Sequence, residues 1–114
     1  MGLDMFLTRV SDKTEVAYWR KANQIHNWFV ENVQNGNDDG GTYEVSGHKL
    51  KELVDLCKEV MQSKEKAEEL LPTREGFFFG STDYDEYYFG DVKRTIEKLE
   101  NINEHETYEY YAWW

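Results

Sequence analysis

The chain has 114 residues and a formal charge of −10, from 13 basic and 23 acidic side chains, a field that repels nucleic-acid phosphates and anionic bilayers and favours basic partners. Its one cysteine, Cys57, excludes an intramolecular disulfide, and no apolar run approaches the roughly 18 residues of a membrane span. Mean hydropathy is low at −0.84, but aromatics make up 16%; disordered chains are poor in aromatics, so one folded domain over residues 1–114 is expected.

Leu3 to Arg9 alternates, with Leu3, Met5 and Leu7 on one face and Asp4 and Phe6 on the other, and predicts a short strand. Ser11 to Thr14 is polar and suits a helix start, with Thr14 as cap. From Glu15 to about Asn35, Tyr18, Ala22, Ile25 and Phe29 recur at helical spacing beside Trp19, His26, Val30 and Val33, which predicts a long helix. Arg20, Gln24, Asn27 and Glu31 fall mostly on its opposite, polar side. Asn35 to Gly41 breaks it. A very short strand at Tyr43 to Val45 precedes a second helix from Gly47 to about Gln62, capped by Ser46, with Leu50, Leu53, Val54, Cys57, Val60 and Met61 inside. Lys64 to Leu71 extends that helix or forms a separate turn before Pro72.

Gly76-Phe77-Phe78-Phe79-Gly80 predicts a buried strand or an extended loop threading the core. A third helix follows, with Asp83 as cap and Glu86 at capping-box spacing, and with Tyr88, Val92, Ile96, Leu99 and Ile102 inside. Thr107 to Trp114 is rich in Tyr and Trp and predicts a strand docked on the N-terminal one. The expected fold is α+β: three helices on a small antiparallel sheet that pairs the terminal strands.

Motifs for chemistry are sparse. His26, His48 and His105 share no metal spacing with Cys57 or one another, so no metal and no cofactor are expected. His26 suits a core histidine held by one hydrogen bond, or a polar group at a pocket floor. Cys57 sits within an apolar stripe and suits a small hydrophobe. Asp38 and Asp39 suit solvated loop acids or a cation site. No phosphate-binding glycine motif is present. No catalytic residue is therefore assigned, and an enzyme is the last of the readings.

Carboxylates and rings interleave after Gly76, where residues 76–114 hold nine acidic and three basic residues. Asp83, Asp85, Glu86, Tyr87, Glu109, Tyr111 and Trp113 form the candidate partner-binding set, because rings anchor interfaces and acids steer a basic partner. A different reading places a nucleotide in an aromatic pocket of Tyr18, Arg20, Lys21, Asn23 and His26, the basic pair holding phosphate.

The segments Gly2-Leu-Asp-Met5, Glu15-Val-Ala-Tyr-Trp-Arg-Lys-Ala-Asn23 with Ile25-His26 and Trp28-Phe-Val30, Leu70-Leu-Pro-Thr73, Gly76-Phe-Phe-Phe-Gly-Ser81 and Tyr84-Asp85 together resemble a group of small proteins of tailed bacteriophages and prophages. The resemblance spans most of the chain. It implies an accessory protein in the bacterial host cytoplasm that inhibits a host factor without catalysis, most naturally a defence system such as a CRISPR effector. The implied partner is a host protein; the acidic charge favours one with a basic surface and disfavours direct nucleic-acid or membrane contact, and a homodimer is compatible with it. The alternative role, read from the aromatic pocket and the Arg20-Lys21 pair, is a sponge for a nucleotide signal.

Overall fold

Four strands and four helices make two layers in the computed structural model, which describes residues 2–114. The strands are β1 (Asp4–Arg9), β2 (Glu15–Arg20), β3 (Thr42–Ser46) and β4 (Thr107–Trp113). The helices are α1 (Asn23–Asn32), α2 (Gly47–Gln62), the one-turn α3 (Ala67–Leu70) and α4 (Glu86–Leu99). The sheet is antiparallel in the order β2-β1-β4-β3. The α+β class stands, but the architecture is larger than three helices on a terminal strand pair. β1 does lie against β4, with Phe6 opposite Tyr111, and each of the two gains a second neighbour.

The long helix expected from Glu15 is two elements. Residues 15–20 are a strand, because Ser11 to Thr14 closes a hairpin instead of starting a helix. The Asp12 carboxylate accepts the Thr14 N–H at 3.1 Å, the Arg9 N–H donates to the Thr14 carbonyl at 2.7 Å, and Lys13 sits at φ 62°. Short polar side chains that bond their own backbone favour turns in this way. Within β2, Ala17 and Trp19 point to the core and Tyr18 and Arg20 point away, a period of two that helical spacing had masked.

Lys21, at φ 56°, turns the chain, and its N–H donates to the Leu3 carbonyl at 2.7 Å. α1 then runs through the core, with every residue from Asn23 to Val30 buried. Gln24 and Asn27, expected on a solvent face, are inside. The Gln24 amide donates to the Tyr88 carbonyl at 3.0 Å, which satisfies a group that burial would otherwise make costly. The helix ends where Asn35 and Gly36 go left-handed and the Gly36 N–H bonds back to the Val30 carbonyl.

α2 begins where the sequence predicts. The Ser46 hydroxyl accepts the Lys49 N–H at 3.0 Å, and Leu50, Leu53, Val54, Cys57 and Val60 face the core. α4 is capped by Asp85 rather than Asp83: the Asp85 carboxylate accepts the Tyr87 and Tyr88 N–H groups, both at 3.1 Å. Its inner stripe is Tyr88, Val92, Thr95 and Leu99. Thr95 takes the Trp19 indole N–H at 2.9 Å, which ties α4 to β2.

All three long helices lie on one face of the sheet. That face supplies Met5, Leu7, Ala17, Trp19, Val45, Tyr108, Tyr110 and Ala112 to the core. Phe29 of α1 stacks on Tyr110 of β4 with ring centroids 3.7 Å apart and planes at 4°. Burial of rings this large contributes about 1.5–3 kcal/mol each. Among the described residues, no helix lies over the opposite sheet face.

Candidate functional site

Alternation along the strands decides what the uncovered face carries. Phe6 of β1 is opposite both Tyr18 of β2 and Tyr111 of β4, so three rings form a row across three strands. Phe6 meets Tyr18 at 5.3 Å and Tyr111 at 6.1 Å between centroids. The next row is Arg20, Asp4 and Trp113. Asp4 accepts the Tyr18 hydroxyl at 2.5 Å and pairs with Arg20 at 3.4 Å. On the other side, Glu44 of β3 sits directly opposite Glu109 of β4, whose β1 neighbour is Thr8. Trp113 is 63% exposed.

Acids facing each other across two strands repel, and among the described residues neither Glu44 nor Glu109 has an ion-pair partner. The face therefore combines exposed rings with unrelieved negative charge. Glu109, Tyr111 and Trp113 of the sequence-predicted set lie here. Phe6, Asp4, Tyr18 and Glu44 were missed as partners of that set. The alternation of Asp4 and Phe6 against Leu3, Met5 and Leu7 was the available signal for the first two.

Asp83, Asp85, Glu86 and Tyr87 are not on this face. They stand at the start of α4, across the β2 edge. The edge itself is tied to α4, because the Lys98 ammonium donates to the Tyr18 carbonyl. There a cavity of about 320 Å³ is lined by Arg20 and Lys21, by Asp83, Asp85 and Tyr87, and by Asp91 and Arg94, among others. The two halves of the predicted surface are thus separate, and Arg20 borders both. Several of the cavity's charges are committed. Asp91 pairs with Arg94 at 2.6 Å, although burial holds its carboxyl above the usual carboxylate range, and Asp85 serves as the helix cap.

The nucleotide pocket predicted from sequence does not assemble. Only Arg20 and Lys21 reach the cavity. Tyr18 is on the uncovered sheet face because residues 15–20 are a strand. Asn23 is buried and braces two loops, donating to the carbonyls of Phe79 and Ser81 at 3.0 and 2.9 Å and accepting the Arg74 N–H at 3.1 Å.

His26 is buried and holds two hydrogen bonds, one at each ring nitrogen. Its Nε2 is 2.8 Å from Asp38 Oδ1, and its Nδ1 is 2.6 Å from the Tyr110 hydroxyl. A carboxylate only accepts, so Nε2 carries the proton and Tyr110 donates to Nδ1. Burial pushes the Tyr110 hydroxyl well above 10, which keeps it a donor. Burial also lowers the His26 pKa below 6.5, against an opposing pull from Asp38. Asp38 accepts the Arg74 Nε–H at 3.2 Å through its other oxygen. Asp38 is thus no solvated loop acid but the link between buried His26 and half-buried Arg74. Asp39 instead folds its own loop, accepting the Gly41 N–H and the Tyr43 hydroxyl.

Tyr110 and His26 are sealed from solvent, while Asp38 and Arg74 at the other end of the network are partly exposed. Cys57 is buried too, and desolvation pushes its thiol up to about 12, where the reactive thiolate is scarce. Among the described residues, no three His, Cys, Asp or Glu side chains converge to hold a metal.

The Gly76–Gly80 segment is a loop, and only Phe79 of its three rings is buried. Phe79 packs edge-on against His26 and Trp114 at 5.4 and 5.5 Å. Phe77 and Phe78 project outward, 71% and 44% exposed. A run of three Phe signals burial by composition, but this loop turns too tightly for all three to face inward.

Comparison with protein-family models, with curated proteins and with solved structures finds no match to this chain.

Proposed function

We propose that the protein works by non-catalytic binding, with the uncovered sheet face docking on a basic surface of a partner protein. The observation that carries this reading is the cross-strand arrangement of Tyr18, Phe6, Tyr111 and Trp113 beside the opposed acids Glu44 and Glu109. A stable protein has little reason to keep two carboxylates facing each other on an open sheet face, since the pair is destabilising in isolation. A lysine or arginine of a partner would relieve the repulsion, and the rings would supply apolar contact. The resemblance to phage proteins makes that partner a bacterial host factor and inhibition of a defence protein the consequence. An acidic face of this kind suits the nucleic-acid groove of such a protein, where it takes the place of a phosphate backbone.

The test is affinity capture from host lysate with wild type and with the E44K/E109K double variant. Both positions are on the sheet surface, so the variant should fold. Wild type is expected to retain one or a few basic proteins, and the variant at least about tenfold less, as charge-steered interfaces respond to reversal. Equal retention by both proteins would exclude the face.

The cavity at the β2 edge supports a second, small-ligand reading, since Arg20, Lys21 and Arg94 line it with Tyr87 at its rim. Asp83, Asp85 and Asp91 in the same wall oppose a multiply charged anion. Mass spectrometry of material released by denaturation separates the readings: a nucleotide at near-stoichiometric yield would favour the cavity.

A further inference from the structure

The two edges of the sheet differ. At β2 the outward backbone is engaged, because the Tyr18 carbonyl accepts the Lys98 ammonium. At β3 it is open. Two bonds just past the strand ends fix which groups point outward. The Gly47 N–H donates to the Glu106 carbonyl at 2.8 Å, and the Val10 N–H to the Thr107 carbonyl at 3.0 Å. Both continue the registers of β3 and β1 on β4, and ladder bonds recur at every second residue of an antiparallel pair. Tyr43 and Val45 therefore bond to β4, while the N–H and C=O groups of Thr42 and Glu44 face away from it. Among the described residues no hydrogen bond reaches those groups from the outer side, and both residues are exposed. Strand edges are commonly guarded by Lys, Pro or a bulge. β3 reads Thr-Tyr-Glu-Val-Ser and pairs with β4 without a register shift, so it has none of these.

Glu44 sets what the edge accepts. It forms a non-hydrogen-bonded pair with Glu109, the closer of the two antiparallel spacings, and the row continues through Thr8 to Glu15. Among the described residues none of these three acids has an ion-pair partner. The neighbouring cations are placed elsewhere. Arg20 stands two rows away on the far strand. Lys49 and Lys51 belong to α2 in the helix layer, and Lys49 pairs with Glu52 at 3.6 Å. The negative charge is thus local to this row.

We propose that β3 accepts an extended segment of a partner protein as an added edge strand, with a Lys or Arg of that segment opposite Glu44. This rests on the binding function proposed above and names how the partner is held. The added backbone pairs with the open groups of Thr42 and Glu44, and the basic side chain extends the acidic row. Main-chain bonds then supply affinity and the alternate side chains specificity. A second copy of the chain is the poorer occupant, because antiparallel pairing of β3 about its own centre sets one Glu44 against the other.

The probes are two capped synthetic peptides, Thr-Val-Thr-Lys-Thr-Val-Thr and its counterpart with Glu in place of Lys, titrated into the isotope-labelled full chain and read by amide NMR. Shifts are expected at residues 42–46. The Thr42 and Glu44 N–H groups should exchange fast in the free chain and become protected on binding, while those of Tyr43 and Val45 are protected throughout. The Lys peptide should bind at least about tenfold more tightly than the Glu peptide, and E44K/E109K should reverse that order. Thr42→Pro removes one outward N–H and spares the β4 ladder and the acids. It should weaken the Lys peptide about tenfold or more, as loss of a main-chain bond at an added strand does. Melting of Thr42→Pro within a few degrees of wild type separates lost pairing from lost folding, and the two-peptide comparison on wild type needs no variant.

The inference is overturned if neither peptide shifts the β3 amides, if both bind wild type equally, or if Thr42→Pro binds the Lys peptide as wild type does. A wild-type dimer that Thr42→Pro converts to monomer in sedimentation would overturn it too, since β3 would then pair with a second copy. Shifts at Phe6, Tyr111 and Trp113 with none in β3, together with a lysate partner lost in E44K/E109K, would remove the edge and leave the sheet-face reading intact. Equal retention of lysate proteins by wild type and E44K/E109K would remove both.

Discussion

Gly47→Ala is expected to destabilise the protein by roughly 3 kcal/mol or more, as backbone overpacking does, and to lower Tm by about 10–20 °C for a domain of this size. The reason is a close approach that no rotamer can relieve. A Cβ at position 47 would lie 1.9 Å from the Asn103 carbonyl oxygen and 2.9 Å from the Glu104 Cα, both backbone atoms. Moving residues 103–106 away would break the bond from the Gly47 N–H to the Glu106 carbonyl and the one from the Asn103 N–H to the Tyr108 hydroxyl. Helix propensity pulls the other way, since alanine in a helix is worth about 1 kcal/mol over glycine, but it is the smaller effect. Gly90→Ala supplies the contrast. A Cβ there first meets the flexible end of Arg94 at 3.4 Å, so propensity should prevail and stability should rise by about 0.5–1 kcal/mol. Calorimetry of both variants decides. A Gly47→Ala protein that melts with wild type would refute the packing of the β3–α2 corner on residues 103–106.

Elements defined by local chemistry were legible in the sequence. Ser46 before a stripe at Leu50, Leu53, Val54, Cys57 and Val60 specifies α2 without reference to anything distant. The alternation in β1 gave its inward and outward faces, and the ring-rich run of β4 gave a strand docked on β1. Residues 15–20 were not legible, because Tyr18, Ala22, Ile25 and Phe29 satisfy helical spacing while Ala17 and Trp19 satisfy strand spacing. Pairing with β1 resolves the ambiguity, and that pairing depends on the turn that Asp12 and Lys13 build. The uncovered sheet face follows from strand alternation once the strand order is known. The cavity does not, since its walls come from the end of β2, the loop at Thr73, and the start of α4. The role of Asp38 was hidden for the same reason: its partners His26 and Arg74 are 12 and 36 residues away.

Those partners make Asp38→Ala the second large effect, expected to cost about 3 kcal/mol. Removing the carboxylate strands the buried His26 Nε2–H and takes from Arg74 its closest counter-ion, at 3.2 Å; losses of this kind run from about 1 to 5 kcal/mol. Asp38→Asn retains an acceptor for Nε2 and should cost less. The same network sets a pH dependence with a definite sign. The folded-state pKa of His26 is lowered by burial from 6.5, so below that pH the unfolded chain binds a proton that the folded one resists. The contribution of His26 is therefore fully present above pH 6.5 and is lost as the pH falls toward the folded-state value, by at most about 1.4 kcal/mol per pH unit for one proton. Protonation would also end the acceptance of the Tyr110 hydroxyl at Nδ1. Asp38 opposes the shift, so in Asp38→Asn the loss should extend to lower pH. Urea unfolding of wild type, Asp38→Asn and His26→Gln between pH 7.5 and 5.0 isolates the effect. Wild type minus His26→Gln should show stability falling with acidification. A flat difference would mean that the histidine is not held neutral between Asp38 and Tyr110.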